Sequence, residues 1–441
     1  MTETVDTLIE ARWVIPGEPD RAVLDDHAVA IKDGRILAVL PQAEAAVRYR
    51  SADRVVLARH ALIPGLVNLH THAAMALMRG LADDLPLMTW LNDHIWPAEA
   101  NHVSADFVRA GTGLAIAEML RGGVTCMNDM YFFPEAAAQA ALTLGIRASL
   151  GIITIDFPSA YASDADDYLA KGLAVRDAMR HESRLSFCLA PHAPFTVSDA
   201  AFAKIAGFAE ELDLPVHVHL HETAEELRGS VEAHGVRPLA RLERLGLIGP
   251  QTIAVHAVHL DAGEIALLAR NGASVAHCPT SNLKLASGIA PVAAMLDAGV
   301  NVGLGTDGAA SNNRLDMFAE MRLAALLAKG ASGRADVLPA AAALRSATLN
   351  GARALGLDGL TGSIVPGKAA DLAAVSFGRI EMQPVYDPVS HLVYVASRDD
   401  VTDVWVAGER VVNAQQITRN VPADFESSAR MWQNRLRAAK T

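Results

Sequence analysis

Short apolar runs alternate with alanine-rich stretches through the middle of the chain. The intervening stretches, such as AFAKIAGFAEELD and AGEIALLARNG, have helical spacing and glycine stops. This order predicts repeated βα units around a parallel sheet, a protein of the α/β class. Eight candidate strands lie near ALIPGLVNLH, GGVTCMNDM, IRASLGIIT, LSFCLAPH, LPVHVHLHE, TIAVHAVH, GASVAHC and NVGLGTDG. Eight parallel strands are the number that closes a (β/α)8 barrel of the TIM type.

Both ends of the chain read differently, as short β-like segments with tight turns. Turn signals stand at Asp33-Gly34 near the start and at Ala407-Gly408 near the end. We therefore expect the two ends to pair into one small composite β-sandwich domain. The predicted divisions are residues 1–60 and 361–441 for the β domain, with a terminal helix, and 61–360 for the barrel.

The 441-residue chain is 51% hydrophobic, enough for a large core, and it carries 38 basic against 50 acidic residues. The formal net charge of -12 argues against non-specific binding to nucleic acid or to an anionic membrane. The three cysteines form no C-x-x-C pair, and the start of the chain lacks the basic and apolar regions of a signal peptide. We expect a cytoplasmic protein that acts on a small molecule.

Histidines and an aspartate stand at the ends of several predicted strands. His70 and His72 end the first strand with their side chains on one face, because strand side chains repeat every second residue. His256 and Asp307 end two later strands, on the same rim of the barrel. The strand VHVHLHE adds His217, His219 and His221, of which spacing alone selects none as a ligand.

This rim predicts a metal site without thiolate ligands. Nitrogen and oxygen donors suit Zn²⁺, or with less selectivity Fe²⁺, and leave an open position for water. A bound metal can bring the pKa of that water toward neutrality and so supply hydroxide. The fourth strand ends in His192 with neither lysine nor carboxylate to bridge two ions, so one metal per subunit is expected.

Five segments give a more specific resemblance: PGLVNLHTHAAM, VHVHLHETAEE, AVHAVHL, HCPTSNLKLASGIAPV and GLGTDGAASNN. They resemble the amidohydrolase superfamily, and within it the methylthioadenosine/S-adenosylhomocysteine deaminase group, close to the chlorohydrolase-type TRZ/ATZ enzymes. The resemblance covers nearly the whole chain. It implies a metal-dependent hydrolase that removes ammonia from an adenine nucleoside.

The resemblance also implies roles for individual residues. In this family the metal histidine stands three residues before the catalytic glutamate, which selects His219, so the ligands would be His70, His72, His219 and Asp307. Glu222 would then be the proton shuttle to the purine ring nitrogen, whereas the following Glu225 and Glu226 are interpreted as surface acids. His256 would support the hydroxide, and Asp307 would accept a proton from water.

Substrate contacts are implied in the same way. Glu99 aligns with the family acid that accepts hydrogen bonds from the ribose hydroxyls, and His192 aligns with a second nucleoside contact. Trp90 and Trp96 have helical spacing in a predicted lid, where they would either cover the substrate or simply pack.

The resemblance leaves the exact substrate open. Relatives that bind the amino-acid tail of S-adenosylhomocysteine carry an arginine where this chain has Ile152, so a bidentate partner for that carboxylate is missing. The substrate expected first is therefore 5'-methylthioadenosine, converted to 5'-methylthioinosine, with adenosine or S-adenosylhomocysteine next. The alternatives are deamination or dechlorination of another aminated heterocycle (guanine, a pterin or an s-triazine) and a non-enzymatic scaffold. A homodimer is expected, as oligomers are common in the family.

Overall fold

A computed structural model describes residues 2–419 and 425–438. The chain begins with four strands and one short helix: β1 (Glu3–Val14), β2 (Leu24–Lys32), β3 (Arg35–Pro41), α1 (Gln42–Arg48) and β4 (Tyr49–Pro64). The predicted turn at Asp33-Gly34 joins β2 to β3, which pair antiparallel. Both turn residues have positive φ, 51° and 74°, as a two-residue hairpin turn of the primed type requires.

Eight parallel strands then form the barrel in sequential order, and this confirms the predicted number and class. They are β5 (Leu66–Thr71), β6 (Val124–Asp129), β7 (Arg147–Thr154), β8 (Leu185–Pro191), β9 (Val216–Leu220), β10 (Thr252–His256), β11 (Ser274–His277) and β12 (Asn301–Leu304). Beyond the end of β12, the backbone N–H of Asp307 donates to the carbonyl oxygen of His70 at 3.0 Å, which brings the last strand back to the first.

Helices connect and cover these strands. The segment before β6 contains α2 (Leu87–Trp90), a π-helical turn at Leu91–Ile95, α3 (Trp96–His102) and α4 (Ala105–Arg121). The next helices are α5 (Pro134–Leu144), α6 (Ala165–Met179), α7 (Asp199–Leu212), α8 (Ala224–His234), α9 (Pro238–Arg244), α10 (Ala262–Arg270), α11 (Pro279–Lys284) and α12 (Val292–Asp297). After β12 follow α13 (Met317–Ser332), α14 (Ala340–Ser346) and α15 (Leu349–Ala354).

The start of α10 shows why the polar residues between apolar runs matter. The side chain of Asp261 accepts the backbone N–H of Glu264, whose carboxylate accepts the N–H of Asp261 in return. This capping box satisfies backbone donors that the first turn of a helix leaves without partners.

The C-terminal part returns to the first four strands. It contains β13 (Leu372–Ser376), α16 (Pro388–Tyr394), β14 (Val401–Val406), β15 (Glu409–Asn413), β16 (Gln416–Ile417) and α17 (Phe425–Ala438). Strand β13 pairs antiparallel with β4, so both ends of the chain share one eight-stranded mixed sheet. The predicted turn at Ala407-Gly408 joins β14 to β15. The composite β domain is therefore one continuous sheet.

This sheet has its own apolar core. Apolar side chains from β1 to β4, β13 and β14 form one buried cluster that includes Ile9, Ile31, Ile36, Leu62, Leu372 and Trp405. The two hairpin turns meet at its edge, where a Cβ atom on Gly34 would lie 2.6 Å from the carbonyl oxygen of Ala407. Glycine is required there by its positive φ and by this close approach.

None of the helices among the described residues has both the length and the apolar character needed to cross a membrane.

Candidate metal centre and substrate cavity

The histidines and the aspartate predicted at the strand ends meet at one point of the barrel rim. The Nε2 atoms of His70 and His72 lie 3.3 and 3.4 Å from Oδ1 of Asp307. Nε2 of His219 lies 3.3 Å from Nε2 of His70. His256 belongs to the same cluster, since its ligand atom lies within 4.8 Å of those of His70 and Asp307.

The hydrogen bonds of three imidazoles direct one ring nitrogen of each toward the common centre. Nδ1 of His72 lies 2.6 Å from the carbonyl oxygen of Met130, and Nδ1 of His219 lies 2.7 Å from that of His192. A carbonyl oxygen only accepts, so each Nδ1 carries the proton and each Nε2 keeps a free lone pair. Nδ1 of His70 lies 3.0 Å from Nε2 of His217. Burial lowers the pKa of His70 to about 4 and that of His219 well below its usual value, which favours the neutral form that binds metals.

Asp307 is held by three local features. Its φ of 64° lies in the left-handed region, a conformation that a non-glycine residue keeps only where its surroundings fix it. The backbone before it passes so close to β5 that a Cβ atom on Gly305 would lie 2.8 Å from the backbone nitrogen of His70. The N–H of Gly308 donates to Oδ1 at 2.7 Å. Burial alone would raise the pKa of Asp307, but the hydrogen bond with His70 and the neighbouring histidines together outweigh burial and hold that pKa well below the usual value.

Glu222 lies beside this cluster, two residues after the end of β9. Its Oε2 atom is 3.7 Å from Nε2 of His256, and both side chains are buried. Burial raises the pKa of Glu222, although the neighbouring His256 opposes the shift. A carboxyl group with a raised pKa can hold a proton and give it to a bound molecule near neutral pH.

The cluster forms the floor of a cavity of about 310 Å³. Glu99, Trp90, Trp96 and His192, all predicted as substrate contacts, line its walls together with Glu222 and Asp307. Trp90 is buried and Trp96 is half-buried, so both pack and face the cavity at once.

Glu99 and His192 each have a fixed partner. The hydroxyl of Tyr131 donates to Oε1 of Glu99 at 2.7 Å, and burial raises the pKa of Glu99 to about 7. Nδ1 of His192 lies 2.9 Å from Oγ1 of Thr196, and burial lowers the pKa of His192 to about 3. A neutral imidazole and a carboxylate near its titration point therefore face the cavity.

The interpretation of Ile152 needs correction. A Cβ atom on Gly172 of α6 would lie 2.3 Å from Cγ2 of Ile152, so this side chain packs against the helix. The cavity is lined instead by Ile153 and Ile155. Because neighbouring strand residues point to opposite faces, the residue at position 152 carries no information about the substrate tail.

The donor set fits a divalent metal ion. Three imidazole nitrogens and one carboxylate oxygen converge, and the metal-ligating groups found among the described residues contain no cysteine. This combination suits Zn²⁺ and related transition metals better than Mg²⁺ or Ca²⁺, which prefer oxygen ligands.

Comparison with known proteins agrees with this geometry. Residues 61–411 match the model of the amidohydrolase family. The chain belongs to the amidohydrolase family. It is 46% identical to the 5-methylthioadenosine/S-adenosylhomocysteine deaminase of Teredinibacter turnerae, over 100% of this chain and 99% of that protein.

Two solved structures extend the comparison of this amidohydrolase. An adenosine deaminase from Xanthomonas campestris with bound zinc superposes with a TM-score of 0.98 and 51% identity, covering 99% of this chain and 100% of the other. An atrazine chlorohydrolase from Arthrobacter aurescens, in complex with zinc, gives a TM-score of 0.87 and 25% identity, over 98% and 100% of the two chains.

One acid of the amidohydrolase site was misread from the sequence. Glu225 is exposed as expected, but Glu226 is buried, and its two carboxylate oxygens accept the backbone N–H groups of His221 and Glu222 at 3.1 and 2.8 Å. Glu226 therefore fixes the backbone from which Glu222 projects. The helical pattern around it gave no sign of this burial.

Further residues of the site had no predicted role. They hold the groups described above and comprise Tyr131, Ser281 and Asn282. His217, which the sequence left open as a ligand, instead contacts Nδ1 of His70 at 3.0 Å. The only signal for Ser281 and Asn282 was the segment HCPTSNLKLASGIAPV, which carried part of the family resemblance.

Proposed function

We propose that this amidohydrolase removes ammonia from an adenine nucleoside, with 5'-methylthioadenosine as the preferred substrate and 5'-methylthioinosine as the product. The observation that carries the proposal is the position of Glu222 beside the cluster of His70, His72, His219 and Asp307. It gives one cavity both a metal-binding floor and a buried carboxyl group. The names of the relatives support the same substrate class.

We propose one Zn²⁺ ion per subunit, held by His70, His72, His219 and Asp307. When bound, zinc lowers the pKa of water so that hydroxide is available near neutral pH. The protein then has to hold the purine with its amino-bearing carbon over the cluster and to move protons at defined atoms.

Glu222 supplies the first proton. Attack on an aromatic amidine carbon creates a tetrahedral centre and leaves an electron pair on the adjacent ring nitrogen. The carboxyl group of Glu222 protonates that nitrogen, which avoids a ring anion, and burial, which raises its pKa, favours the protonated form that this step needs. His256 orients the attacking oxygen, and Asp307 accepts a proton from the attacking water and passes it to the amino group, which leaves as ammonia when the C–N bond breaks. The hydroxyl proton of the tetrahedral centre then returns to Glu222, which restores the acid for the next turnover.

The ribose is recognised by Glu99. Its free carboxylate oxygen accepts hydrogen bonds from the sugar hydroxyls, while the other oxygen is held by Tyr131. His192 provides a second polar contact to the nucleoside from the end of β8. These contacts would distinguish a nucleoside from a free base.

The mouth of the cavity favours an apolar 5' substituent. Aromatic and aliphatic side chains line the cavity, among them Ile153 and Ile155, and the exposed Phe157 and Phe195 lie at its mouth. No described residue that lines the cavity is a lysine or an arginine. The carboxylate of S-adenosylhomocysteine would therefore lose its water without gaining a cationic partner, which costs binding free energy. Methylthioadenosine has no carboxylate and avoids this cost.

The test is ammonia release by the zinc-loaded protein, compared as kcat/KM for methylthioadenosine, adenosine, S-adenosylhomocysteine and guanine. We expect methylthioadenosine to be used best and S-adenosylhomocysteine at least tenfold less well. Equal use of S-adenosylhomocysteine would refute the argument from the apolar mouth. Turnover of guanine alone would overturn the assignment to nucleosides.

A further inference from the structure

The segment after β11 contacts two groups of the proposed reaction, Asp307 and His256, on the side away from the cavity. Ser281 and Asn282 are adjacent in α11, and both side chains are buried. Neither residue lines the cavity. One contacts Asp307 and the other contacts His256, although these two side chains come from different strand ends.

Asn282 restricts the protonation of His256. Its Oδ1 atom lies 2.8 Å from Nδ1 of His256. An amide oxygen only accepts, so the proton of the neutral imidazole resides on Nδ1, and the lone pair is on Nε2, the atom that lies 3.7 Å from Glu222. The contact with the Asn282 amide therefore fixes one tautomer of His256 through hydrogen-bond geometry alone.

Ser281 restricts the orientation of Asp307. Its hydroxyl donates to Oδ2 at 2.6 Å, which leaves Oδ1 as the oxygen near the Nε2 atoms of His70 and His72. A hydrogen bond from behind a ligating carboxylate typically changes metal affinity or activity by about 10–100-fold when it is removed.

We propose that Ser281 and Asn282 are a pair of positioning residues: Ser281 sets which oxygen of Asp307 faces the metal, and Asn282 sets which nitrogen of His256 faces the substrate. The proposal rests on the proposed function for its kinetic part. Because the two side chains project from one short helix, α11 fixes the separation between the metal-facing and the substrate-facing group.

The proposal predicts a different defect for each residue. Ser281→Ala should weaken zinc affinity about 10–100-fold, measured by competition with a chelator. Asn282→Leu should leave zinc affinity within twofold, lower kcat at least tenfold and change KM less than threefold. Ser287→Ala is the matched control, because its buried hydroxyl lies in the same segment and contacts no polar partner among the described residues. Ser281→Ala with the zinc affinity of this control would overturn the assignment of Ser281.

A double-mutant cycle tests whether Asn282 acts through His256. In a His256→Ala background, Asn282→Leu should change kcat less than twofold, because the group that it positions is gone. The same tenfold loss in both backgrounds would overturn the proposal. Asn282→Asp keeps an acceptor of nearly the same shape, and we expect its kcat to exceed that of Asn282→Leu even if the latter folds poorly.

A spectroscopic measurement separates this proposal from the proposed function. In metal-free protein labelled with ¹⁵N-histidine, long-range ¹H–¹⁵N spectra should show His256 protonated on Nδ1, and Asn282→Leu should abolish this single tautomer. Protonation on Nε2 in the unmutated protein would overturn the proposal, whatever substrate the enzyme uses. Failure to release ammonia from any nucleoside, with the Nδ1 tautomer present, would instead refute the proposed function.

Discussion

At the scale of single residues, the surroundings of two carboxyl groups in the site shift their pKa values in opposite directions. Asp307 is held ionised by His70, whereas burial raises the pKa of Glu222. Two acids whose pKa values are pushed apart in one site are typical of a division between an acceptor and a donor of protons. The proposed roles of Asp307 and Glu222 follow this division.

Replacing Glu222 by glutamine should remove the proton donor without changing the shape of the site. We expect Glu222→Gln to lower kcat by about 10²–10⁴-fold, the usual contribution of general acid-base catalysis, with zinc still bound. Steady-state kinetics with metal analysis of the same sample measures both quantities. Glu225→Gln is the control, since Glu225 is exposed three residues further along and should keep normal kcat. Near-normal turnover by Glu222→Gln would contradict the proton-shuttle role.

Glu99 should make nucleoside binding depend on pH. Its pKa is raised to about 7 by burial, so the carboxylate is charged above pH 7 and neutral below it. Tyr131, which donates to Glu99, has a pKa that burial raises well above its usual value, so the hydroxyl stays protonated. The neighbouring His72 lowers the pKa of Glu99 and so opposes the effect of burial. We expect KM for methylthioadenosine to rise as the pH falls from about 8 to 6, and Glu99→Gln to remove that dependence. If KM of the Glu99→Gln variant still rose with falling pH as in the unmutated protein, the ribose contact of Glu99 would be contradicted.

At the scale of elements, the barrel and the terminal sheet are joined by a buried ion pair. Arg147, at the start of β7, donates two hydrogen bonds to Asp371, next to β13, at 3.0 and 3.2 Å. The two side chains are only 4% and 0% exposed. Asp371 also accepts the backbone N–H of Ala407 at 2.7 Å. One pair therefore ties a barrel strand to the start of β13 and to the second hairpin turn.

Removing the charge of Asp371 should destabilise the fold. Asp371→Asn leaves the guanidinium of Arg147 buried without its counter-ion, and we expect the free energy of unfolding to fall by about 3–5 kcal/mol. Denaturant unfolding measures the loss. The control is Asp166→Asn, which breaks the exposed pair with Lys204 and should cost less than about 1 kcal/mol. Equal effects of the two substitutions would show that the interface does not depend on this pair.

At the scale of the whole molecule, the metal site ties the first strand of the barrel to strands later in the chain. The proposed ligands come from β5, β9 and the segment after β12. A metal that binds only the folded chain stabilises it in proportion to the logarithm of its concentration. Stability and activity should therefore respond together to the ion.

Removal of the metal should lower the unfolding temperature as well as abolish activity. We expect chelator-treated protein to unfold at a lower temperature and to recover with each increase in Zn²⁺, followed by scanning fluorimetry. Mg²⁺ is the control ion, because its preference for oxygen ligands predicts little recovery. An unfolding temperature that does not change with zinc would contradict a metal site at this cluster.

Much of this molecule follows from local pattern. The eight barrel strands and both hairpin turns could be predicted because side-chain periodicity and turn residues are local properties. His70, His72, His256 and Asp307 could be predicted as neighbours because all parallel strands of a barrel end on the same rim.

Other features depended on the tertiary structure. Spacing alone left His217, His219 and His221 open as ligands. Only the folded structure gives the three side chains different contacts. His217 lies behind His70, whereas His221 has a φ of 56° and accepts the N–H of Leu239.

The burial of Glu226, the orientation of Ile152 and the contacts of Ser281 and Asn282 were likewise decided by packing between distant segments. The sequence by itself determined which chemical groups reach the barrel rim, because strand ends are set locally. Only the tertiary structure decided which groups bind, which position others and which merely pack, because these roles depend on neighbours that are far away along the chain.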